Sequence, residues 1–244
     1  MSRPTPLFED EALLIVHKPA GIHSVALDEA DANDSIAGTL LRYCPALREV
    51  ADRPGDAGLI NRLDRGTSGI LIGAKSRTVW EILRSDIQAE RIEKRYIAVV
   101  EGAAPPRTEI ENFIGSPYRR AQKVRTYAKM PPGGRALPAR SVFTRREENA
   151  AMGVSLVEVY APTARRHQIR AHAKSLGHPL IGDTLYGSSR SFREICGATA
   201  PETFCLHAFW VDLTHPIHRG KVTVTDPLPE FLGSIFSETA LRAV

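Results

Sequence analysis

The sequence predicts an α+β fold, one continuous sheet with helices packed on it. Short apolar runs of strand character outnumber segments with helical spacing, and most neighbouring strands read as antiparallel. Hydrophobic residues make up 43% of the 244, enough for a core and far from a disordered composition. No internal repeat, low-complexity stretch or linker interrupts the chain, so a single domain over residues 1–244 is expected.

Leu13 to His17 reads as a buried strand followed by the turn Lys18-Pro19-Ala20-Gly21. Asp34-Ser35 is a good cap pair for a short helix over 36–43. Arg53 to Gly58 is a loop that delivers the chain to Asp64, and Ile70 to Ala74 is a strand. Thr78 to Glu90 has helical spacing, with Trp80, Leu83 and Ile87 on one face. Tyr96 to Val100 is a further strand. Residues 122–128 and 141–145 read as a basic hairpin around Pro131-Pro132-Gly133-Gly134. Val154 to Tyr160 alternates, as suits a strand with one largely apolar face. Thr163 can cap a helix running to Leu176, which Gly177 ends. Leu206 to Leu213 and Lys221 to Thr225 are late strands.

Composition excludes several classes. The apolar run Ala12 to Val16 is far too short to span a bilayer. It follows Glu9, Asp10 and Glu11, the opposite of a signal peptide's basic leader. Cys44, Cys196 and Cys205 are three and lack C-x-x-C spacing, which argues against a disulfide framework and a zinc site. A soluble protein of a reducing, cytoplasmic compartment is expected.

The net charge of +4 is unevenly spread. Residues 1–60 carry ten acids against five bases. Residues 119–146 carry nine bases and no acid: Arg119, Arg120, Lys123, Arg125, Lys129, Arg135, Arg140, Arg145 and Arg146. Such a segment is either a binding surface for a polyanion or an ordinary solvated face.

Two stretches carry chemistry. In Asn61-Arg62-Leu63-Asp64-Arg65-Gly66-Thr67-Ser68-Gly69 a carboxylate stands between two guanidinium groups, which favour its charged form. The small residues that follow let a substrate approach the backbone. Taken by itself the stretch reads first as a surface turn with an Asp–Arg pair. The second stretch is Thr163-Ala164-Arg165-Arg166-His167-Gln168-Ile169-Arg170-Ala171-His172. On a helix, Arg166 and Arg170 share a face, His167 joins Arg170, and Ile169, Ala173 and Leu176 form the apolar stripe. Arg170 then sits at the edge of the stripe, its stem buried and its head able to reach a carboxylate. His167 and His172 are five apart, the wrong spacing for a helical metal pair, and read as structural.

Together these stretches resemble the RluA-type family of RNA pseudouridine synthases. The first is similar to that family's H-R-L-D-x-x-T-S-G signature. The second, with Gly177-His178-Pro179-Leu180-Ile181-Gly182-Asp183, is similar to G-R-T-H-Q-I-R followed by G-H-P-I-x-G-D. Leu14 to Gly21 resembles the opening strand and K-P-x-G turn, and Lys94 to Gly102 the central K-x-Y-x-A-x-V-x-G strand. Leu206-His207-Ala208, His215-Pro216 and Pro227-Leu228-Pro229 follow in the family's order, so the likeness covers about residues 8–232. Asn61, Ala164 and Arg166 depart from it, standing where the family usually has His, Gly and Thr.

The resemblance implies the pseudouridine synthase fold, a mixed, mostly antiparallel bent sheet flanked by helices, with an RNA cleft. Its pattern begins by residue 8, so no N-terminal S4-type RNA-binding domain is expected. It implies cleavage of the C1′–N1 bond of uridine and rejoining of C1′ to C5, an isomerisation that consumes no cofactor. The lack of G-x-G-x-x-G, P-loop and zinc spacings agrees with that. Asp64 becomes the carboxylate that meets positive charge at the sugar, and Arg170 the cation that keeps it ionised. Tyr96 becomes a ring to stack on the base and a phenol to shuttle a proton; read alone it is a core tyrosine. Arg62 becomes the side chain that fills the gap left by a flipped-out uridine; read alone it is a partner of Asp64. Arg65, Arg165, Arg166, His167, Arg119, Arg120, Lys123 and Arg125 are the further candidates for RNA contact. The expected partner is ribosomal or transfer RNA, bound by a monomer without membrane, metal or small-molecule cofactor.

Three alternatives stand beside this. A nucleoside or glycoside hydrolase needs a second flanking carboxylate, and residues 53–75 offer only Asp56 besides Asp64. A serine hydrolase at Ser68 lacks the G-x-S-x-G spacing. The third is a catalytically idle RNA-binding or ribosome-assembly protein on the same scaffold.

Overall fold

The computed structural model describes residues 4, 6–26, 34–196 and 203–242. The chain divides into two compact units. The first takes the chain up to Glu93 and then Ala208–Pro227; the second takes Lys94–His207 and the chain from Leu228 onward.

In the first unit, β1 (Pro6–Glu9), β2 (Leu13–Lys18) and β3 (Ser68–Ala74) lie side by side. Both pairings are antiparallel, with Leu13 opposite Ala74 and Lys18 opposite Gly69. The expected strands at 13–17 and 70–74 are therefore present and paired. Helix α1 (Ile36–Tyr43) begins where the cap pair predicts, the Ser35 side chain accepting from the Gly38 N–H at 3.0 Å. Helix α2 (Arg77–Gln88) is capped by Ser76 and buries Val79, Trp80 and Leu83 against the sheet. Its indole N–H donates to the Leu59 carbonyl at 3.3 Å, so a polar atom enters the core with a partner.

The second unit holds β4 (Glu93–Glu101), β5 (Arg107–Gly115), β6 (Arg125–Tyr127), β7 (Ala136–Asn149) and β8 (Val154–Tyr160), in the order β4-β8-β7-β5-β6. Each of the four pairings is antiparallel. Helix α3 (Gln168–Ser175) packs Ile169 and Ala173 into the cluster of Val157, Val159 and Phe143. Short helices α4 (Phe192–Cys196) and α5 (Glu238–Arg242) complete this unit. Strand β9 (Leu206–Thr214) gives its first two residues to the second unit and the rest to the first, where β10 (Lys221–Thr225) pairs with it antiparallel.

Three expectations need correction. The basic hairpin does not form, because β6 and β7 both pair with β5, one on each side of it. Strand β5 went unread because glutamates and an arginine alternate along it, exposed on one face, and mask its apolar Ile110, Phe113 and Ile114. Helix α3 starts at Gln168, not after Thr163, since His167 adopts a left-handed backbone (φ +53°) that ends any helix reaching back through it. Arg166 therefore shares no helical face with Arg170. Strand β8 forms where the alternation predicts it, with the residues of both faces buried up to Val159.

Candidate active site

The Asp64 segment is a tight turn in the first unit, closed by the Thr67 N–H donating to the Asp64 carbonyl at 3.0 Å. Asp64 itself is half-buried, whereas Arg62 and Arg65 are exposed. Arg65 turns its Nε to the Gly21 carbonyl (2.9 Å), and its own carbonyl accepts the Gly21 N–H (2.8 Å), so the K-P-x-G turn and the Asp64 turn brace each other. The Ser24 hydroxyl, 2.9 Å from both the Leu63 N–H and its carbonyl, adds a second brace. Gly69 has φ +113°, and a Cβ there would lie 2.3 Å from the Ala208 carbonyl oxygen, so only glycine admits β9 this close.

The cation that matters most to this turn is one the sequence reading missed. Lys18 is 0% exposed, and its ammonium donates to the carbonyls of Pro19 (3.0 Å), Ile22 (2.7 Å) and Arg65 (3.2 Å). Burial pulls its pKa down to about 8, against the pull of the Asp64 charge in the other direction. Its place in the K-P-x-G turn was the only signal in the sequence. Asn61, where the family usually has His, is a structural tie: its Oδ1 accepts from the Ile72 N–H (2.8 Å) and its Nδ2 donates to the Ile70 carbonyl (3.3 Å).

Tyr96 and Arg170 belong to the second unit. Tyr96 is half-buried in β4, opposite Val159, and packs on the apolar cluster beneath α3. Arg170 is buried and grips Asp183 with two arms, Nε at 2.6 Å and Nη2 at 2.9 Å. Its guanidinium lies over the rings of Phe204 (4.3 Å) and Tyr186 (5.0 Å). The G-H-P-x-x-G-D continuation thus supplies the carboxylate that fixes this arginine.

The basic segment is held to this unit by three of the predicted residues. Arg166 donates to the Ala121 carbonyl at 2.6 Å, and Arg165 to the Pro138 carbonyl at 2.9 Å. His167 Nδ1 lies 3.0 Å from the Tyr186 hydroxyl, which accepts the Val124 N–H at 3.0 Å. Arg140, Arg145 and Arg146 pair with Glu109, Glu148 and Glu158. Among the described residues, Arg119, Arg120, Lys123 and Arg125 are exposed and form no ion pair.

One cluster has the outline of a metal site: Glu11, His215 and His218 bring ligand atoms within 4.8 Å of one another. Hydrogen bonds already engage those atoms: Glu11 Oε1 lies 2.5 Å from His218 Nε2, and both His215 nitrogens are taken up. His215 Nδ1 accepts the N–H groups of Ile217 (3.2 Å) and His218 (3.0 Å), so Nε2 carries the proton and donates it to Asp10 (2.9 Å). A neutral ring in that tautomer has no lone pair left for a metal.

Against this geometry, the RNA pseudouridylate synthase family matches residues 12–175. The chain belongs to the RNA pseudouridylate synthase family. An uncharacterized RNA pseudouridine synthase of Bacillus subtilis, YhcT, is 34% identical over 91% of this chain and 68% of its own. Ribosomal large subunit pseudouridine synthase D of Nitrosomonas europaea is 32% identical over 94% of this chain and 63% of its own. The chain thus spans about two thirds of the length of these curated relatives. A solved structure, human RNA pseudouridylate synthase domain containing 1, superposes with a TM-score of 0.70 at 25% identity, covering 96% of this chain and 86% of the other. The family assignment agrees with the α+β architecture. No helix among the described residues is long and apolar enough to cross a membrane.

Proposed function

We propose that this chain converts uridine to pseudouridine in structured RNA, with Asp64 as the catalytic carboxylate. The observation that carries the reading is the setting of Asp64: a half-buried acid on a doubly braced turn, beside a buried ammonium, in a member of this family. As the C1′–N1 bond breaks, positive charge develops at C1′, and the carboxylate stabilises or captures it. The uracil then turns, C5 bonds to C1′, C5 loses its proton and N1 gains one. Atoms and electrons balance without a donor or acceptor.

In this reading Tyr96 stacks on the base and moves the proton. Arg170, its guanidinium oriented by Asp183, is the cation assigned to the site. Arg62 fills the space of the flipped uridine. Arg65, Arg165, Arg166 and His167, with the basic segment, hold the strand, and a monomer in the cytoplasm suffices. Ribosomal RNA is the favoured substrate class, because relatives at 29–32% identity are named for the large ribosomal subunit.

The test is tritium release from RNA carrying uridine labelled at C5. Asp64→Asn should abolish release while circular dichroism and RNA affinity stay near wild type. Release within about tenfold of wild type would end the assignment. Free uracil as product would favour a hydrolase instead.

A further inference from the structure

We infer that Tyr118 is a stacking platform for an unpaired base of the bound RNA. The inference rests on the RNA-binding reading of the basic segment given above. Of the exposed large hydrophobic side chains among the described residues, Tyr118 is the most open, at 66%, ahead of Leu137 at 56% and Ile217 at 51%. A ring left in water at the start of a turn gains the apolar burial it lacks only when something covers it.

The turn that carries it is held in place. The Ala121 N–H donates to the Tyr118 carbonyl at 3.2 Å, and Arg120 adopts φ +65°, a left-handed conformation uncommon outside glycine and asparagine. The Ala121 carbonyl accepts from Arg166 at 2.6 Å, and beyond it Val124 is buried with its N–H on the Tyr186 hydroxyl. A ring on a braced turn loses little freedom when a ligand arrives, so contact area converts to affinity.

Charge identifies the ligand. Arg119 and Arg120 follow Tyr118 directly, Lys123 and Arg125 come next, all exposed and without an acidic partner among the described residues. An aromatic face interleaved with uncompensated cations is the arrangement that holds single-stranded nucleic acid, bases on rings and phosphates on cations. A protein partner would call for a contiguous apolar patch, and charged neighbours on the C-terminal side of Tyr118 prevent one.

The experiment compares wild type, Tyr118→Phe and Tyr118→Ala by fluorescence anisotropy. The probes are an RNA hairpin with an unpaired loop and a fully paired RNA duplex of the same length, each across a salt series. Tyr118→Ala should weaken hairpin binding about 5- to 100-fold and leave duplex binding unchanged. Tyr118→Phe should match wild type. The salt slope should be the same in all three, because every phosphate-binding cation is kept. Hairpin affinity unchanged in Tyr118→Ala would overturn the inference while leaving the RNA reading intact. Equal losses on hairpin and duplex would overturn it too, since the ring would then be supporting the turn. If wild type binds neither probe, the RNA-binding reading itself falls, and the inference with it.

Discussion

Lys18 shows how one buried charge can organise a reactive turn. Its three ammonium hydrogens match three carbonyls, from Pro19, Ile22 and Arg65, and its charge acts on Asp64. Replacing it with an apolar side chain of similar length leaves those carbonyls without their donor and Asp64 without that cation. Lys18→Met should therefore lower kcat by about tenfold or more and KM little, because the loss acts on the carboxylate and not on the RNA surface. Single-turnover tritium release, with circular dichroism to confirm folding, measures it. A kcat within about twofold of wild type would show that the turn holds itself. Asn61 belongs to the same scale: its amide ties the backbone of the 60s to β3, a role that needs donor and acceptor but no titratable ring.

Helix α3 is short and is positioned by a buried polar network as well as by its apolar stripe. Gln168 donates to the Arg140 carbonyl and the Ser141 hydroxyl, and His172, 0% exposed, bridges Ser141 and Asn112. These bonds tie the helix that carries Arg170 to β7 and β5. Burial pulls the His172 pKa from its ordinary 6.5 to about 4. As pH falls below 6.5 the unfolded chain takes up a proton that the folded chain refuses, so stability drops between pH 6.5 and 4. A downward shift of this size corresponds to roughly 3 kcal/mol. In His172→Gln that component should vanish, flattening the acid side of the stability profile. Urea denaturation of both proteins between pH 7 and pH 4 checks it; identical pH slopes would mean that His172 titrates normally.

On the scale of the whole molecule the distribution of charge outweighs its sum. The excess acids of residues 1–60 lie in the first unit, and the basic segment lies in the second. Three of the nine bases are neutralised by Glu109, Glu148 and Glu158, which brace the sheet. Those at 119–125 are exposed and form no ion pair among the described residues, as binding a polyanion would require. Changing Arg119, Arg120 and Lys123 together to Gln should weaken RNA binding across sequences. It should also flatten the dependence of log affinity on log salt by about 0.7 to 0.9 for each phosphate no longer neutralised. Anisotropy titrations across a salt series decide this, and parallel lines for wild type and variant would make the segment a solvated face.

The sequence alone determined the α+β class, strands at 13–17, 70–74, 96–100, 154–160, 206–213 and 221–225, each extended by the structure by at most a few residues, and helices α1 and α2. Their apolar runs and serine caps are local signals, read from a few neighbouring residues. It also determined the family, because the Asp64 stretch, the K-P-x-G turn and the stretch around Arg170 are contiguous motifs. Tertiary structure decided what depends on distant partners. Strand β5 exists because β6 and β7 pair on its two sides, although a third of its own residues are charged. Arg165 and Arg166 look like free surface cations in the sequence, yet each spends a hydrogen bond on the carbonyl of a segment far along the chain. Lys18 reads as a turn residue and is a fully buried ammonium. Burial and hydrogen-bond partnership are properties of the packed neighbourhood, and no window of sequence contains them.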